Sequence, residues 1–153
     1  MTSIATVTLN PAIDQTVAVA NFTANTVNRV AWEQSDAGGK GVNVASFLAD
    51  WANENPNSLR ISATGFLGAE NRGLFQRLFD QKGICDRFVS IPGKTRSNIK
   101  IVDDAQQQVT DLNFPGAVPQ VEHLDRLWNA LGELTASHDW FVLSGSLPKG
   151  VPA

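Results

Sequence analysis

The stretch that decides the fold runs from Asp36 to Ala45, DAGGKGVNVA, and places three glycines around one lysine. Behind it, apolar residues recur at helical spacing as far as Ala52, and this pattern predicts a helix whose N-terminus carries the glycine loop. Glycines let backbone N–H groups approach a ligand, and a helix start offers unpaired donors with partial positive charge. Lys40 and Asn43 add a cation and an amide, so the loop suits an anion or a row of hydroxyl groups.

Two standard nucleotide-binding patterns do not fit this loop. A P-loop requires Gly where Gln34 stands and Ser or Thr where Gly41 stands. The dinucleotide pattern, started at Gly39, meets Val44 at its third glycine position. Both nucleotide readings therefore fail, whereas an acceptor site and a plain flexible connection before a helix remain open.

The remaining chain predicts an α/β protein, a parallel Rossmann-type sheet flanked by helices with a small projecting β-sheet. The sheet strands and helices are expected at 4–9, 42–53, 59–66, 74–79 (ended by Gly83), 121–134 and, as a final buried strand, from 140. Half-buried or projecting strands are expected around 16–20, 27–33, 88–91, 97–102 and 108–114, with a hairpin turn at 103–106. No helix follows the last strand to cover the sheet, so we expect the first half of a longer protein.

Composition limits the possible partners. The 153 residues carry 12 basic and 15 acidic side chains, a formal charge of -3, and the scattered basic residues predict neither nucleic-acid nor membrane binding. The single cysteine, Cys85, excludes an intrachain disulfide and is expected to be a buried thiol. The start has no signal-peptide pattern and no apolar run reaches the ~20 residues of a membrane span, so we expect a cytoplasmic protein with a small-molecule partner.

Further polar residues follow the predicted strands. Asp14 is expected in a loop after the first strand, and Ser146 lies just after the last one, where ligands sit in open α/β sheets. Arg96 could contact phosphate through two hydrogen bonds. Each also has an ordinary interpretation, as a turn residue, a cap or a solvated charge. The two histidines, His123 and His138, have no metal-ligand spacing and are not expected to be functional.

Taken in order, seven segments resemble the N-terminal half of the phosphofructokinase B branch of the ribokinase-like sugar kinases. They are TLNPAID (8–14), VNRV (27–30), AGGKGVNVA (37–45), GFLGAEN (65–71), TRSNIKI (95–101), VTDLNFPG (109–116) and SGSLPKGV (144–151). The resemblance implies a ribokinase-like fold in which residues 1–153 form the N-terminal part of one kinase domain. Strands near 16–33 and 96–113 would form a β-sheet lid that also serves as a homodimer surface.

The same resemblance implies a reaction and a set of site residues. The reaction is transfer of the ATP γ-phosphoryl group, with Mg²⁺, to the carbon-6 hydroxyl of fructose 1-phosphate, giving fructose 1,6-bisphosphate; tagatose 6-phosphate is the nearest alternative substrate. Lys40 and Arg96 are the candidates for the substrate phosphate, and Arg29 is a candidate for the site of a neighbouring subunit. Contacts to the sugar are implied for Asp14, Gly38, Gly39, Asn43, Asn98 and Ser146.

One departure from the family pattern limits these expectations. The family's GAGD segment, which supplies the general-base aspartate and part of the ATP site, does not occur in these 153 residues. We therefore expect no catalytic residue in this chain and no activity from it alone, because phosphoryl transfer depends on positioning both reactants. A non-catalytic sugar-phosphate-binding or dimerisation module is the alternative, and a Rossmann-type oxidoreductase is disfavoured by the failed dinucleotide pattern.

Overall fold

The computed structural model describes residues 1–151, which form two sheets and three helices. In chain order the elements are β1 (Thr2–Thr8), β2 (Ala12–Ala18), β3 (Trp32–Gly38), α1 (Lys40–Glu54), β4 (Leu59–Gly68), α2 (Gly73–Lys82), β5 (Cys85–Asp86), β6 (Val89–Ile91), β7 (Ser97–Asp103), β8 (Gln108–Asn113), α3 (Val121–Thr135) and β9 (Trp140–Leu143). Among these residues no helix is long and apolar enough to cross a membrane.

The main sheet is parallel, as the sequence predicts. Its strand order is β5-β4-β1-β9, and β6 continues the pairing along the end of β4. The central strands β1 and β4 are buried along most of their length, which is typical of parallel strands covered on both faces. The carboxyl ends of β1 and β9 therefore meet at one edge of the sheet, where Asn10 and Ser144 follow them.

Helices cover the two faces of the main sheet. Helices α1 and α2 pack on one face in a core that includes Val42, Phe75 and Phe79, and α3 packs on the other through Leu127 against Phe66. Burying one such large apolar side chain contributes about 1.5–3 kcal/mol. Gly83 ends α2 in the left-handed conformation, as its sequence position predicts.

The small sheet has the strand order β3-β2-β7-β8 and differs from the prediction at three places. The strand expected at 88–91 among the projecting strands is β6 of the main sheet, because it pairs with the end of β4. Asp14 lies within β2 and not in a loop, because the chain changes sheet at Asn10-Pro11 and a new strand begins at once. The strand expected over 27–33 begins only at Trp32. The segment before it is held by local bonds instead, since the Asn28 amide pairs with the N–H and the carbonyl of Thr23.

A buried aspartate joins two loops at one end of the small sheet. Asp103 is 3% exposed and accepts hydrogen bonds from the N–H groups of Asn21 and Phe22, at 3.0 and 2.7 Å. It also accepts from the N–H groups of Ala105 and Gln106 in its own hairpin turn. The carboxylate thereby ties the segment after β2 to the β7–β8 turn.

Two burial predictions are wrong. Cys85 is exposed and lies on the two-residue edge strand β5. Strand β9 is also an edge strand, and its Trp140 and Leu143 are 67% and 77% exposed. Phe47 and Trp51 on α1 are exposed as well, at 71% and 46%.

Candidate acceptor site

A cleft of about 240 Å³ lies where the carboxyl ends of β1 and β9 meet the start of α1 and the small sheet. Seven residues nominated from the sequence line it: Asp14, Gly39, Lys40, Asn43, Arg96, Asn98 and Ser146. Asn10, Ala12 and Gly145 complete the lining. Residues far apart in the chain are therefore brought together at the strand ends, where ligands bind in open α/β sheets.

Three neighbouring strands place polar side chains at or beside the cleft, and Asp14 and Asn98 line it. Asp14 on β2 lies opposite Asp36 on β3 and Asn98 on β7. The Asn98 amide donates to Asp14 Oδ1 at 3.2 Å, and the Gln34 amide donates to Asp36 Oδ2 at 2.9 Å. Within residues 1–151 neither carboxylate forms an ion pair. Like charges directly opposite each other destabilise a sheet, and such local conflicts are typical of functional sites.

Two glycines set the entry into the cleft. Gly38 does not line it but lies behind the Asp14 carboxylate, because a Cβ there would fall 2.7 Å from Asp14 Cγ and closer still to Oδ2. Gly39 has a φ of 110°, a conformation that side chains rarely adopt, and it precedes the first residue of α1. The close turn between β3 and α1 therefore depends on both residues lacking a side chain.

The start of α1 offers free donors to the cleft. Gly39 supplies no capping side chain, and the first turn contains no acidic residue. The first N–H groups of a helix have no partner within it, and here they carry no side-chain cap either. Lys40 and Asn43 are three residues apart, so their side chains lie on the same face of the helix and both line the cleft.

Arg96 is held by neutral acceptors. Its guanidinium donates to the carbonyls of Asn10, Pro11 and Phe114 at 3.3, 3.3 and 3.0 Å, and to Asn98 Oδ1 at 3.3 Å. In the described part of the chain no carboxylate neutralises it. Three of these four contacts are long for hydrogen bonds, so a stronger anionic acceptor could replace them.

The structure adds Asn10 to the nominated residues. Its amide donates to Ser146 Oγ at 3.0 Å and so joins the ends of β1 and β9. The amide fits only because Gly116 has no side chain, since a Cβ there would lie 3.0 Å from Asn10 Cγ. The Asn10-Pro11 pair reads in the sequence as a turn signal, and only its place after a buried strand could have pointed to the site.

Arg29 and the histidines lie elsewhere. Arg29 is exposed in the segment between β2 and β3 and does not line the cleft. His123 Nδ1 accepts from the N–H of Gln120 and caps the start of α3. His138 Nε2 lies 2.8 Å from Ser62 Oγ, and burial lowers the pKa of this histidine. Neither ring contributes to the cleft.

This arrangement can bind a small polyol that carries an anion. Asp14, Asn43, Asn98 and Ser146 can bind hydroxyl groups, while Lys40 and Arg96 provide two positive charges in the same cleft. A sugar phosphate requires both, because its hydroxyl groups need hydrogen-bonding partners and its phosphate needs positive charge.

Comparison with known proteins is consistent with this chemistry. The model of the family described as "pfkB family carbohydrate kinase" matches residues 4–153. The chain is 54% identical to a 1-phosphofructokinase of Rhodobacter capsulatus over 98% of its own length and 46% of the relative's. It is 42% identical to a 1-phosphofructokinase of Xanthomonas campestris, over 96% of this chain and 44% of that protein.

A solved structure extends the similarity to the fold. The crystal structure of a possible 1-phosphofructokinase from Thermotoga maritima superposes with a TM-score of 0.84 at 32% identity, covering 98% of this chain and 47% of that one. This chain thus spans about half the length of the relatives that it matches. The ribokinase-like α/β fold expected from the sequence is confirmed.

Proposed function

The chain belongs to the pfkB family of carbohydrate kinases, and we propose that it is the acceptor half of a 1-phosphofructokinase. The whole protein transfers the γ-phosphoryl group of ATP to the carbon-6 hydroxyl of fructose 1-phosphate and forms fructose 1,6-bisphosphate. The observation that carries this proposal is the cleft that gathers Asp14, Lys40, Asn43, Arg96 and Ser146 around one volume. Because ATP is plentiful in the cytoplasm, we propose this compartment for the protein.

Each side of the cleft has a role in this reaction. Lys40 and Arg96 bind the phosphate of the acceptor, because a compact ammonium and a guanidinium suit phosphate oxygens. Asp14, Asn98 and Ser146 bind sugar hydroxyls and fix which hydroxyl points towards ATP. Phosphoryl transfer depends largely on positioning and electrostatic stabilisation, so a rigid acceptor site contributes directly to the rate.

The nucleotide and its metal require residues beyond this chain. Within residues 1–151 no three His, Cys, Asp or Glu side chains are grouped as around a metal ion. We place ATP, Mg²⁺ and the general-base aspartate on the remaining half of the whole kinase. The exposed edge of β9, with Trp140, and the exposed Phe47 and Trp51 of α1 offer that half an apolar surface.

Homodimerisation through the small sheet is part of the proposal. Trp32 and Val109 are exposed, and the period of two in strands places them on the same face as Asp14. A groove of about 260 Å³ on this sheet shares Asp14 and Asn98 with the cleft. A second copy packed against this face would cover the groove, exclude water and bring its Arg29 to the sugar phosphate.

The dimer is tested by two substitutions in the full-length protein. Trp32→Arg is expected to give monomers in analytical ultracentrifugation and to raise the KM for fructose 1-phosphate. Arg29→Ala is expected to raise the same KM while the dimer persists. A dimer that tolerates Trp32→Arg would contradict this part of the proposal.

The acceptor roles are tested by kinetics of the full-length protein. Lys40→Ala and Arg96→Ala are expected to raise the KM for fructose 1-phosphate at least ~10-fold and that for ATP much less, because charge-assisted hydrogen bonds contribute roughly 1.5–3 kcal/mol each. Lys94→Ala is the matched control, since Lys94 is exposed and does not line the cleft. Equal increases in both KM values would show that the phosphate contacts are wrongly assigned.

A further inference from the structure

The segment GFLGAEN at 65–71, in the second half of β4 and the turn after it, has no side chain in the cleft. It nevertheless forms hydrogen bonds with Thr95, the residue that precedes Arg96. The end of β4 runs into a single 3-10 turn over Ala69–Asn71. From this turn the Asn71 amide donates to the Thr95 carbonyl at 2.8 Å. The Thr95 N–H in turn donates to Asn71 Oδ1, also at 2.8 Å. One side chain thus satisfies both polar groups of one residue, as a neighbouring strand would.

Further hydrogen bonds join the end of β4 and the turn after it to Thr95 and to the loop before it. The N–H of Gly68 donates to Thr95 Oγ1 at 2.9 Å, and Thr95 is 6% exposed. The N–H of Glu70 donates to the Gly93 carbonyl at 3.0 Å. A side chain at position 68 would lie 2.7 Å from the Gly93 carbonyl oxygen and nearer still to Thr95, so only glycine allows this approach.

The two ends of Arg96 are therefore held very differently. Its peptide follows a residue fixed by three bonds of 2.8–2.9 Å. Its guanidinium makes four bonds of 3.0–3.3 Å to neutral oxygens. The origin of the side chain is firmly set, while its charged end can exchange weak partners for phosphate oxygens.

We propose that Asn71 and Thr95 are positioning residues for Arg96, which orient its guanidinium for the phosphate of the acceptor. This inference rests on the proposed function, because it assigns a phosphate contact to Arg96. These hydrogen bonds to Thr95, here called the Thr95 clamp, keep the arginine preorganised when the cleft is empty. Less ordering of side chains and loops is then needed when the acceptor binds. The Thr95 clamp also gives the GFLGAEN segment a role in acceptor binding, although none of its side chains lines the cleft.

The first test compares two substitutions at Thr95 and two at Asn71 in the full-length protein. Thr95→Val removes the acceptor of the Gly68 N–H, and Thr95→Ser keeps it. Asn71→Asp keeps the acceptor for Thr95 but loses the donor, and Asn71→Ala loses both. Thr95→Val, Asn71→Asp and Asn71→Ala are expected to raise the KM for fructose 1-phosphate roughly tenfold with kcat and the KM for ATP nearly unchanged, within the 100-fold that a 1 Å misplacement can cause. Thr95→Ser is expected to behave as the wild type.

A merely structural role is separated by a double-mutant cycle. In an Arg96→Ala background, Asn71→Ala is expected to cause no further increase in this KM, because it acts only through the arginine. An increase as large as in the wild-type background overturns the proposal. The proposal is also overturned if, across the four variants, kcat falls and both KM values rise in proportion to the loss of melting temperature.

The last measurement follows the mobility of the Arg96 side chain and needs no enzymatic turnover. The ¹⁵N relaxation of the Arg96 Nε–H group should show a lower order parameter in Asn71→Ala and an unchanged one in Thr95→Ser. If the wild-type protein does not phosphorylate fructose 1-phosphate but this loss of order occurs, the proposed function fails and the positioning role stands. If the wild type is active and the order parameter is unchanged in Asn71→Ala, the positioning role alone is overturned.

Discussion

Replacing Gly38 by alanine should displace the Asp14 carboxylate and weaken sugar binding without disturbing the helix behind it. The added Cβ would lie 2.7 Å from Asp14 Cγ, whereas ordinary contacts of a Cβ begin at 3.4 Å. The backbone of Gly38 is not in the left-handed region, so the change adds volume and no conformational strain. Relief therefore comes from a shift of the Asp14 side chain, by about 1 Å.

A displacement of this size has a large kinetic effect. Misplacing a binding group by about 1 Å can lower the rate ~100-fold, which corresponds to about 2.7 kcal/mol of transition-state stabilisation. Steady-state kinetics of full-length Gly38→Ala should therefore show a fall in kcat/KM for fructose 1-phosphate of this order, with little change in the KM for ATP. Overpacking should also lower the free energy of unfolding by about 1–3 kcal/mol in urea titrations.

The reasoning requires that alanine acts through Asp14. In an Asp14→Ala background only the Ala12 carbonyl oxygen, at 3.2 Å, remains close to the added Cβ, so Gly38→Ala should have little further effect. Gly132→Ala is the control, because Gly132 is exposed on α3 and nothing lies within 4 Å of its added Cβ. It should stabilise this helix by about 0.5–1 kcal/mol. A Gly38→Ala enzyme with normal kcat/KM, or one whose defect persists without the Asp14 carboxylate, would refute the account.

The remaining predictions concern stability, measured by urea unfolding. Burial raises the pKa of Asp103, but hydrogen bonds from four backbone N–H groups, Phe22 foremost, outweigh it and hold the pKa below its ordinary value. Its stabilisation is therefore complete above about pH 4 and is lost as the pH falls further, so the stability difference from Asp103→Asn should shrink below pH 4; a constant difference contradicts this. Gly65→Ala should cost about 3 kcal/mol or more, because φ is 141° and the new Cβ would lie 2.6 Å from the Thr8 carbonyl carbon. Gly83→Ala should cost only about 1–2 kcal/mol, since φ is 66° but nothing lies within 4 Å; equal losses at the two glycines would show that the close approach at Gly65 is not important.

Helices and buried strands were predictable because their signals are local. The apolar spacing behind Gly39 indicates α1 whatever surrounds it, and the structure has that helix at Lys40–Glu54. The predicted bounds of β2 and β3 differ from the observed ones, because polar alternation does not determine where a strand begins or ends. The pairing partners and competing side-chain hydrogen bonds, such as those of Asn28, determine it instead. The predicted burial of Cys85 and β9 was wrong because both lie on edge strands of the main sheet. Burial there depends on what packs against the edge, and the residues of the strand itself do not reveal that.

The candidate site was recognisable as a set and not from single residues. Arg96 or Ser146 alone reads as a surface charge or a turn, and only their order along the chain suggested one site. Geometry adds what order cannot provide: Gly38 lies behind Asp14 and outside the cleft, and Asn10 joins two strand ends. Arg29 stays a prediction, because its proposed place is on a second copy of the chain.

The most direct test of the account is the product formed by the full-length protein with ATP and each of three acceptors, fructose 1-phosphate, tagatose 6-phosphate and fructose 6-phosphate. Phosphorus and carbon NMR identify which hydroxyl is phosphorylated, and coupled kinetics give kcat/KM for each acceptor. We predict fructose 1,6-bisphosphate from fructose 1-phosphate, with the highest kcat/KM of the three. No ATP-dependent product, or a higher kcat/KM for either other ketose phosphate, would contradict the proposed function.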